Sequence, residues 1–151
     1  MALTGQYTRN IDAKGRVAIP KPLREAWGLF PRGIVYLAPG TDGSLAMYTE
    51  TAFEQLAARL AASVPTDPEV RAFRRLFYAQ AQRVELDGQG RIRIPEPLLQ
   101  RAGIQREVVL VGAGEHVELW DQQRWSAYLE EKLPQYDALA EAAFQAPANN
   151  T

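Results

Sequence analysis

Short stretches of strictly alternating apolar and polar residues, each followed by helical spacing, run through the first half of this chain and then recur in the second. Val17 and Ile19 fall on one side of an alternating segment with Arg16 and Ala18 on the other; in the later copy Ile92 and Ile94 oppose Arg91 and Arg93. A period of two predicts strands. Gln6 to Ile11 and Arg83 to Leu86, whose alternation is imperfect, read as short strands leading in. Pro20 and Pro95 close the alternating strands because proline has no N–H for a ladder. Pro22 and Pro97 suit the first turn of a short helix that Gly28 and Gly103 would stop. Each copy then continues with two apolar strands separated by a glycine-containing turn: Ile34 to Leu37 and Leu45 to Tyr48, then Val108 to Val111 and Val117 to Trp120.

A helix is expected after each pair. Thr51 with Glu54 has the spacing of a capping box, and Phe53, Leu56, Ala57 and Leu60 share one face; Asp121 is placed to cap a helix carrying Trp125, Tyr128, Leu129 and Leu133. A further helix, started by Asp67-Pro68 and striped with Val70, Phe73, Phe77 and Ala81, bridges the copies and lacks a clear counterpart. From Pro134 onward the alanine-rich sequence supports at most a weak helix around Tyr136 to Phe144, with disorder expected over Pro147 to Thr151.

The two copies are in constant register. Asp12, Gly15, Pro20 and Gly28 reappear 75 residues later as Asp87, Gly90, Pro95 and Gly103. An internal duplication of this regularity makes the chain one structural unit used twice. The expected divisions are a first repeat over 1–62, a linking helix over 63–82, a second repeat over 83–133 and a partly disordered tail over 134–151. Half of 151 residues is marginal for independent folding, so two intertwined halves sharing a core fit the length.

Composition narrows the classes. With 46% hydrophobic and 23% charged residues and no apolar run able to span a bilayer, the chain reads as a soluble protein of the cytoplasm. The absence of cysteine removes disulfides, zinc–thiolate sites and thiol nucleophiles together. A net charge of −1 argues at first against nucleic acid, but its distribution argues the other way. Residues 1–25 hold Arg9, Lys14, Arg16, Lys21 and Arg24 against Asp12 and Glu25, whereas residues 115–141 hold seven carboxylates against Arg124 and Lys132.

Catalysis and metal binding find little support. His116 is the single histidine, and neither a second histidine nor a cysteine accompanies it. Glu130 and Glu131 are adjacent on a helix and diverge. Val111-Gly112-Ala113-Gly114 precedes a strand rather than a helix, so it reads as a hairpin turn and not as a dinucleotide loop. Trp120 and Trp125, like Tyr48 and Phe53, recur at matching places and read as core. Arg71, Arg74 and Arg75 share a face of the linking helix, where phosphate, a neighbouring subunit's acids or solvent could meet them. No enzyme activity, cofactor, metal or small-molecule substrate is expected.

The signatures themselves carry the chemistry. In Asp-x-x-Gly-Arg the aspartate can accept from backbone N–H groups ahead of it and the glycine supplies positive φ. Asp12, Gly15, Asp87, Gly90 and Arg91 are therefore expected to shape the loops. Between copies Lys14 becomes Gln89, Lys21 becomes Glu96 and Arg24 becomes Leu99, so the cations gained in the first copy are assigned to a ligand. Arginine can meet phosphates and read a guanine edge with two parallel hydrogen bonds. For Arg16 and Arg91 pairing with Asp12 and Asp87 is the competing role, favoured at Arg91 and not at Arg16.

Residues 12–20 and 87–95, their spacing, and Val-Val-Leu-Val-Gly followed by Glu118-Leu119-Trp120-Asp121 closely resemble the two repeats of the MraZ family of bacterial transcription regulators, over about Met1 to Leu133. The resemblance implies an α+β fold, mainly β: a duplicated AbrB-like swapped-hairpin barrel with flanking helices. It implies a nucleoid-associated ring of identical subunits that binds double-stranded DNA at short direct repeats upstream of the division and cell-wall gene cluster. DNA contact then falls on Lys14 and Arg16, with Arg9, Lys21 and Arg24 as further candidates. Gln89 and Glu96 depart from the basic pattern in the second copy. An AbrB-type antitoxin or protein-binding module is the alternative, and a purely structural ring is a third possibility.

Overall fold

The computed structural model describes residues 2–28, 33–63 and 66–145. Its strands are β1 (Gln6–Asn10), β2 (Arg16–Ala18), β3 (Ile34–Pro39), β4 (Leu45–Thr49), β5 (Gln82–Glu85), β6 (Arg91–Arg93), β7 (Glu107–Gly112) and β8 (Val117–Asp121). Helices α1 (Lys21–Trp27), α2 (Glu50–Ala61), α3 (Pro68–Gln80), α4 (Glu96–Ala102), α5 (Gln122–Lys132) and α6 (Tyr136–Gln145) complete it, with one 3-10 turn at Leu133–Gln135. The result is an α+β fold with a sheet core and flanking helices.

The duplication becomes an exchange of strands. Six strands form one antiparallel sheet in the order β1-β7-β8-β4-β3-β5, and β2 with β6 forms a separate two-stranded ribbon. The lead-in strand of each copy thus lies against the other copy's sheet strand: β1 pairs with β7, and β5 with β3. An approximate two-fold axis runs between β4 and β8, the central pair.

Alternation sets which residues close the core. Val17 and Ile92 are partners across the ribbon and both are buried. With Ile19 and Ile94 they cover one face of the sheet, where Val35, Leu37, Leu45, Met47, Val108, Leu110, Val117 and Leu119 point inward. Leu23 from α1 and Leu98, Leu99 and Ala102 from α4 close the ends. On the opposite face α2 and α3 lie against β3, and α5 against β7 and β8. Tyr36, Phe53 and Phe77 stack across the β3–α2–α3 contact, and Trp120, Trp125 and Tyr128 cluster between β8 and α5.

Several boundaries differ from expectation. The cap of α2 is Thr49, whose hydroxyl accepts from the Ala52 N–H at 3.1 Å, and not Thr51. Pairing with Val35 holds Thr49 extended at the end of β4, so the helix begins at Glu50 and no reciprocal glutamate is in reach. Asp121 caps α5 as expected, accepting from the Arg124 N–H. That helix ends at Lys132, leaving Leu133 to start the 3-10 turn, 59% exposed. Phe73 faces outward at 52% exposure, because Phe77 alone of the stripe on α3 is fully buried. The expected weak C-terminal helix is a ten-residue one, α6, which follows the second copy in chain order as α3 follows the first. The expected disorder over Pro147 to Thr151 lies outside the described residues. No described helix is long and apolar enough to cross a membrane.

Candidate nucleic-acid interface

The two Asp-x-x-Gly-Arg loops are built alike. Asp12 Oδ1 accepts from the N–H groups of Lys14 at 2.9 Å and Arg16 at 2.8 Å, while its Oδ2 accepts from Arg16 Nε at 2.7 Å. Asp87 does the same with Gln89 at 2.8 Å, Arg91 at 2.9 Å and Arg91 Nε at 2.8 Å. Gly15 and Gly90 turn the chain at φ of 79° and 75°, which L side chains rarely adopt. The backbone N–H of Arg16 does most to hold the Asp12 carboxyl below the ordinary carboxylate range, against partial desolvation and helped by the guanidinium; Arg91 does the same at Asp87. Each ribbon strand is also tied to the other copy's loop. The Ile19 N–H donates to the Gly90 carbonyl at 3.0 Å, and the Ile94 N–H to the Gly15 carbonyl at 2.9 Å.

Both arginines therefore make the carboxylate pair, the role expected only of Arg91. The pair uses Nε alone, which leaves the terminal amino groups of each guanidinium available. Pairing and ligand contact are compatible in one side chain.

The ribbon then gathers charge that sequence order disperses. Antiparallel pairing sets Arg16 directly across from Arg93, and Ala18 across from Arg91. With Val17 and Ile92 inside, all four of these residues belong to the outer face. At one end Arg93, across the ribbon from Arg16, lines with Lys14 a groove of about 550 Å³ between residues 11–15 and 93–96, whose wall also carries the carboxylates of Asp12 and Glu96. Gln89, Arg91 and Ala18 occupy the other end. Arg93 is exposed and has no ion pair or hydrogen bond among the described residues, and sequence comparison of the copies overlooked it. Its signal was present in the outward half of the alternation, where the first copy has only alanine.

The remaining candidates are arranged differently. Arg24 was expected to face a ligand, yet it is half-buried, its Nε donating to the Ile19 carbonyl at 3.0 Å. A methyl group placed on Gly90 would stand 2.9 Å from its guanidinium carbon, so Arg24 supports the second copy's loop. Its counterpart Leu99 lies under Gly15 in the first. The exchange of strands thus sets a cation of the first copy beside the loop of the second. Arg9 on β1 donates to its neighbour Thr8 and lies 5.9 Å from the Tyr7 ring centroid. Lys21 is exposed at the start of α1, 3.8 Å from Glu25. His116 lies 3.6 Å from Glu118 and stacks on Tyr48; that contact, together with the Trp120 indole N–H, holds the Glu118 carboxyl below its ordinary range.

The family model described as "MraZ protein, putative antitoxin-like" matches residues 2–76 and 77–146. The chain belongs to the MraZ family. Its MraZ relatives include proteins named transcriptional regulator MraZ from Heliobacterium modesticaldum, 39% identical over 91% of this chain and 93% of that protein, and from Thermomicrobium roseum, 41% identical over 83% and 86%. A third, from Acetivibrio thermocellus, is 40% identical over 91% and 93% and has the same name. The two MraZ matches meet between Leu76 and Phe77, inside α3, so that α6 belongs to the second as most of α3 does to the first.

Proposed function

We propose that this chain is a sequence-specific, DNA-binding transcriptional regulator of the cytoplasm and nucleoid, acting without catalysis and reading short direct repeats as a ring of identical subunits. The observation that carries the reading is the pairing of Arg16 with Arg93 on the exposed face of a two-stranded ribbon, with Lys14 in the adjoining turn. Asp12 offsets the charge of Arg16, so Arg93 and Lys14, which have no carboxylate partner among the described residues, supply the excess positive charge that a polyanion would meet, beside the terminal amino groups of Arg16. A two-stranded ribbon also fits the B-DNA major groove, where arginine can meet guanine with two hydrogen bonds. The names of the relatives support regulation of transcription as the purpose.

One ribbon end presents three cations, so a single subunit should bind weakly, in the range of about 10⁻⁴ to 10⁻⁶ M expected of non-specific electrostatic contact. Neighbouring subunits held on the same duplex at roughly millimolar effective concentration raise avidity by about 10²- to 10⁴-fold. The test is binding to duplexes from the chain's own upstream region with one to four direct repeats, with and without a half-turn insertion. Affinity should rise with repeat number and fall on insertion. Arg16→Ala and Arg93→Ala should each weaken binding while the protein stays folded. Unchanged binding in both variants would refute the ribbon as the DNA-contacting surface.

A further inference from the structure

Among the described residues, the large apolar side chains that remain exposed are confined to two places. Phe73 (52% exposed), Leu76 (62%) and Tyr78 stand out from α3, and Leu133, Tyr136 (67%), Leu139 and Phe144 (92%) from the 3-10 turn and α6. Isolated exposed apolar residues are ordinary, but seven confined to two segments mark a surface that expects cover. The two segments also differ in charge. Helix α3 carries Arg71, Arg74 and Arg75 against Glu69, and these arginines with Tyr78 border a recess of about 390 Å³. Residues 130–145 carry Glu130, Glu131, Asp137 and Glu141 against Lys132.

We infer that α6 of one subunit docks on α3 of the next, a heterologous contact between copies of this chain. Tyr136, Ala140 and Phe144 recur at four-residue spacing and form one stripe of α6, continued by Leu133 and bordered by Leu139 and Ala143. Asp137 and Glu141 run alongside as a second row at the same spacing. On α3, Arg71 with Arg75 and Arg74 with Tyr78 form matching rows beside Phe73 and Leu76. Apolar stripe meets apolar stripe, and the carboxylate row meets arginines. Helix α3 packs on β3, and its buried Phe77 stacks on Phe53 of α2, which stacks in turn on Tyr36 of β3, so it offers a firm seat. Helix α6 projects on the 3-10 turn as an arm. Because the two surfaces differ, each subunit uses both, and repetition of the contact closes a ring. This deepens the self-association in the proposed function by assigning its surface.

Native mass spectrometry and light scattering at about ten micromolar test it on the full chain, a concentration at which a contact of micromolar affinity is populated. The wild-type chain should be a discrete oligomer. Phe144→Glu alters a side chain that takes no part in the core, and it should raise the half-assembly concentration by about 30-fold or more while the circular dichroism stays unchanged. Arg74→Glu/Arg75→Glu should disassemble the oligomer, and so should Asp137→Lys/Glu141→Lys. Mixing these two should restore it, since each then offers the charge the other needs. A monomeric wild-type chain, charge variants that assemble as the wild type does, or a mixture that stays apart would overturn the inference. Binding of a single-repeat duplex by the disassembled variants distinguishes the two readings: if it persists, the DNA-contacting ribbon stands whatever the fate of the helix contact.

Discussion

The first and second copies of the Asp-x-x-Gly-Arg loop are close to superposable in their bonding and different in several of the side chains that surround them. Five hydrogen bonds match to about 0.1 Å, from the two backbone donors on each aspartate to the arginine Nε and the Asp–Gly and Asp–Arg backbone contacts. The first loop is cushioned by Leu99 and adjoins Lys14 and Arg93; the second is cushioned by Arg24 and adjoins Gln89 and Ala18. Backbone geometry is thus the shared device, and the neighbours decide what each end of the ribbon presents. The cushions and the partners across the ribbon come from the opposite copy. A comparison of copies made in sequence order therefore does not show that Arg24 lies beside the second copy's loop.

The comparison is broken most forcefully in the core. If the copies form one interlocked body, Ile19→Ala and Ile94→Ala, equivalent positions both 2% exposed, should each cost about 2–5 kcal/mol in a single cooperative unfolding transition. Urea denaturation followed by two probes checks this. Two separable transitions, or a loss at one position only, would show the halves to be independent.

Exchange of the cushions comes next. Arg24→Leu gives the first copy the residue of the second and removes a charge-assisted bond to the Ile19 carbonyl, at a cost of about 1–2 kcal/mol. Its local effect should appear in the other copy: amide hydrogen exchange should quicken over residues 87–91 and not over 12–16. Faster exchange at the first loop instead would contradict the crossed support.

Much of this architecture was legible in the chain, and what was not has a common cause. The two loops, the proline stops and the glycine ends of α1 and α4 follow from local rules, since the groups that satisfy them lie within a few residues. Register across the ribbon does not, because nothing near Arg16 in sequence announces Arg93. Thr51 with Glu54 was the better cap on local grounds, and the β3–β4 pairing gave the role to Thr49 instead. The stripe on α3 was legible as a stripe, but which of its members face the sheet depended on Phe53 and Tyr36. Local chemistry was readable, and long-range pairing was where the reading stopped.

Acid sensitivity gives a smaller and symmetrical effect. The Asp12 and Asp87 carboxyls are both held below the ordinary carboxylate range in the folded chain. A depressed folded value means that each contributes stability that is full above the unfolded value and disappears as pH falls through the folded one. Asp12→Asn and Asp87→Asn should each flatten the acid limb of stability, measured from pH 7 down to about pH 2, and by similar amounts. A change in one variant alone would mean that the loops differ in more than their neighbours.

The smallest expected effect bears most directly on function, since it asks which end of the ribbon faces the duplex. Lys14, Arg16 and Arg93 meet at the first loop's end, whereas Gln89 and Ala18 leave Arg91 as the one arginine on the ribbon's face at the other. Each phosphate contact contributes about 0.9 to the slope of log K against log salt. Lys14→Gln, which makes the first turn resemble the second, should lower that slope by about 0.9 if its ammonium meets a phosphate. Gln89→Lys is the converse substitution and places the same charge on the same backbone geometry at the opposite end. If DNA lies against the first end alone, the slope for Gln89→Lys stays at the wild-type value. An increase of about 0.9 would instead mean that the duplex spans both loops, and that the difference between the copies is one of strength and not of position.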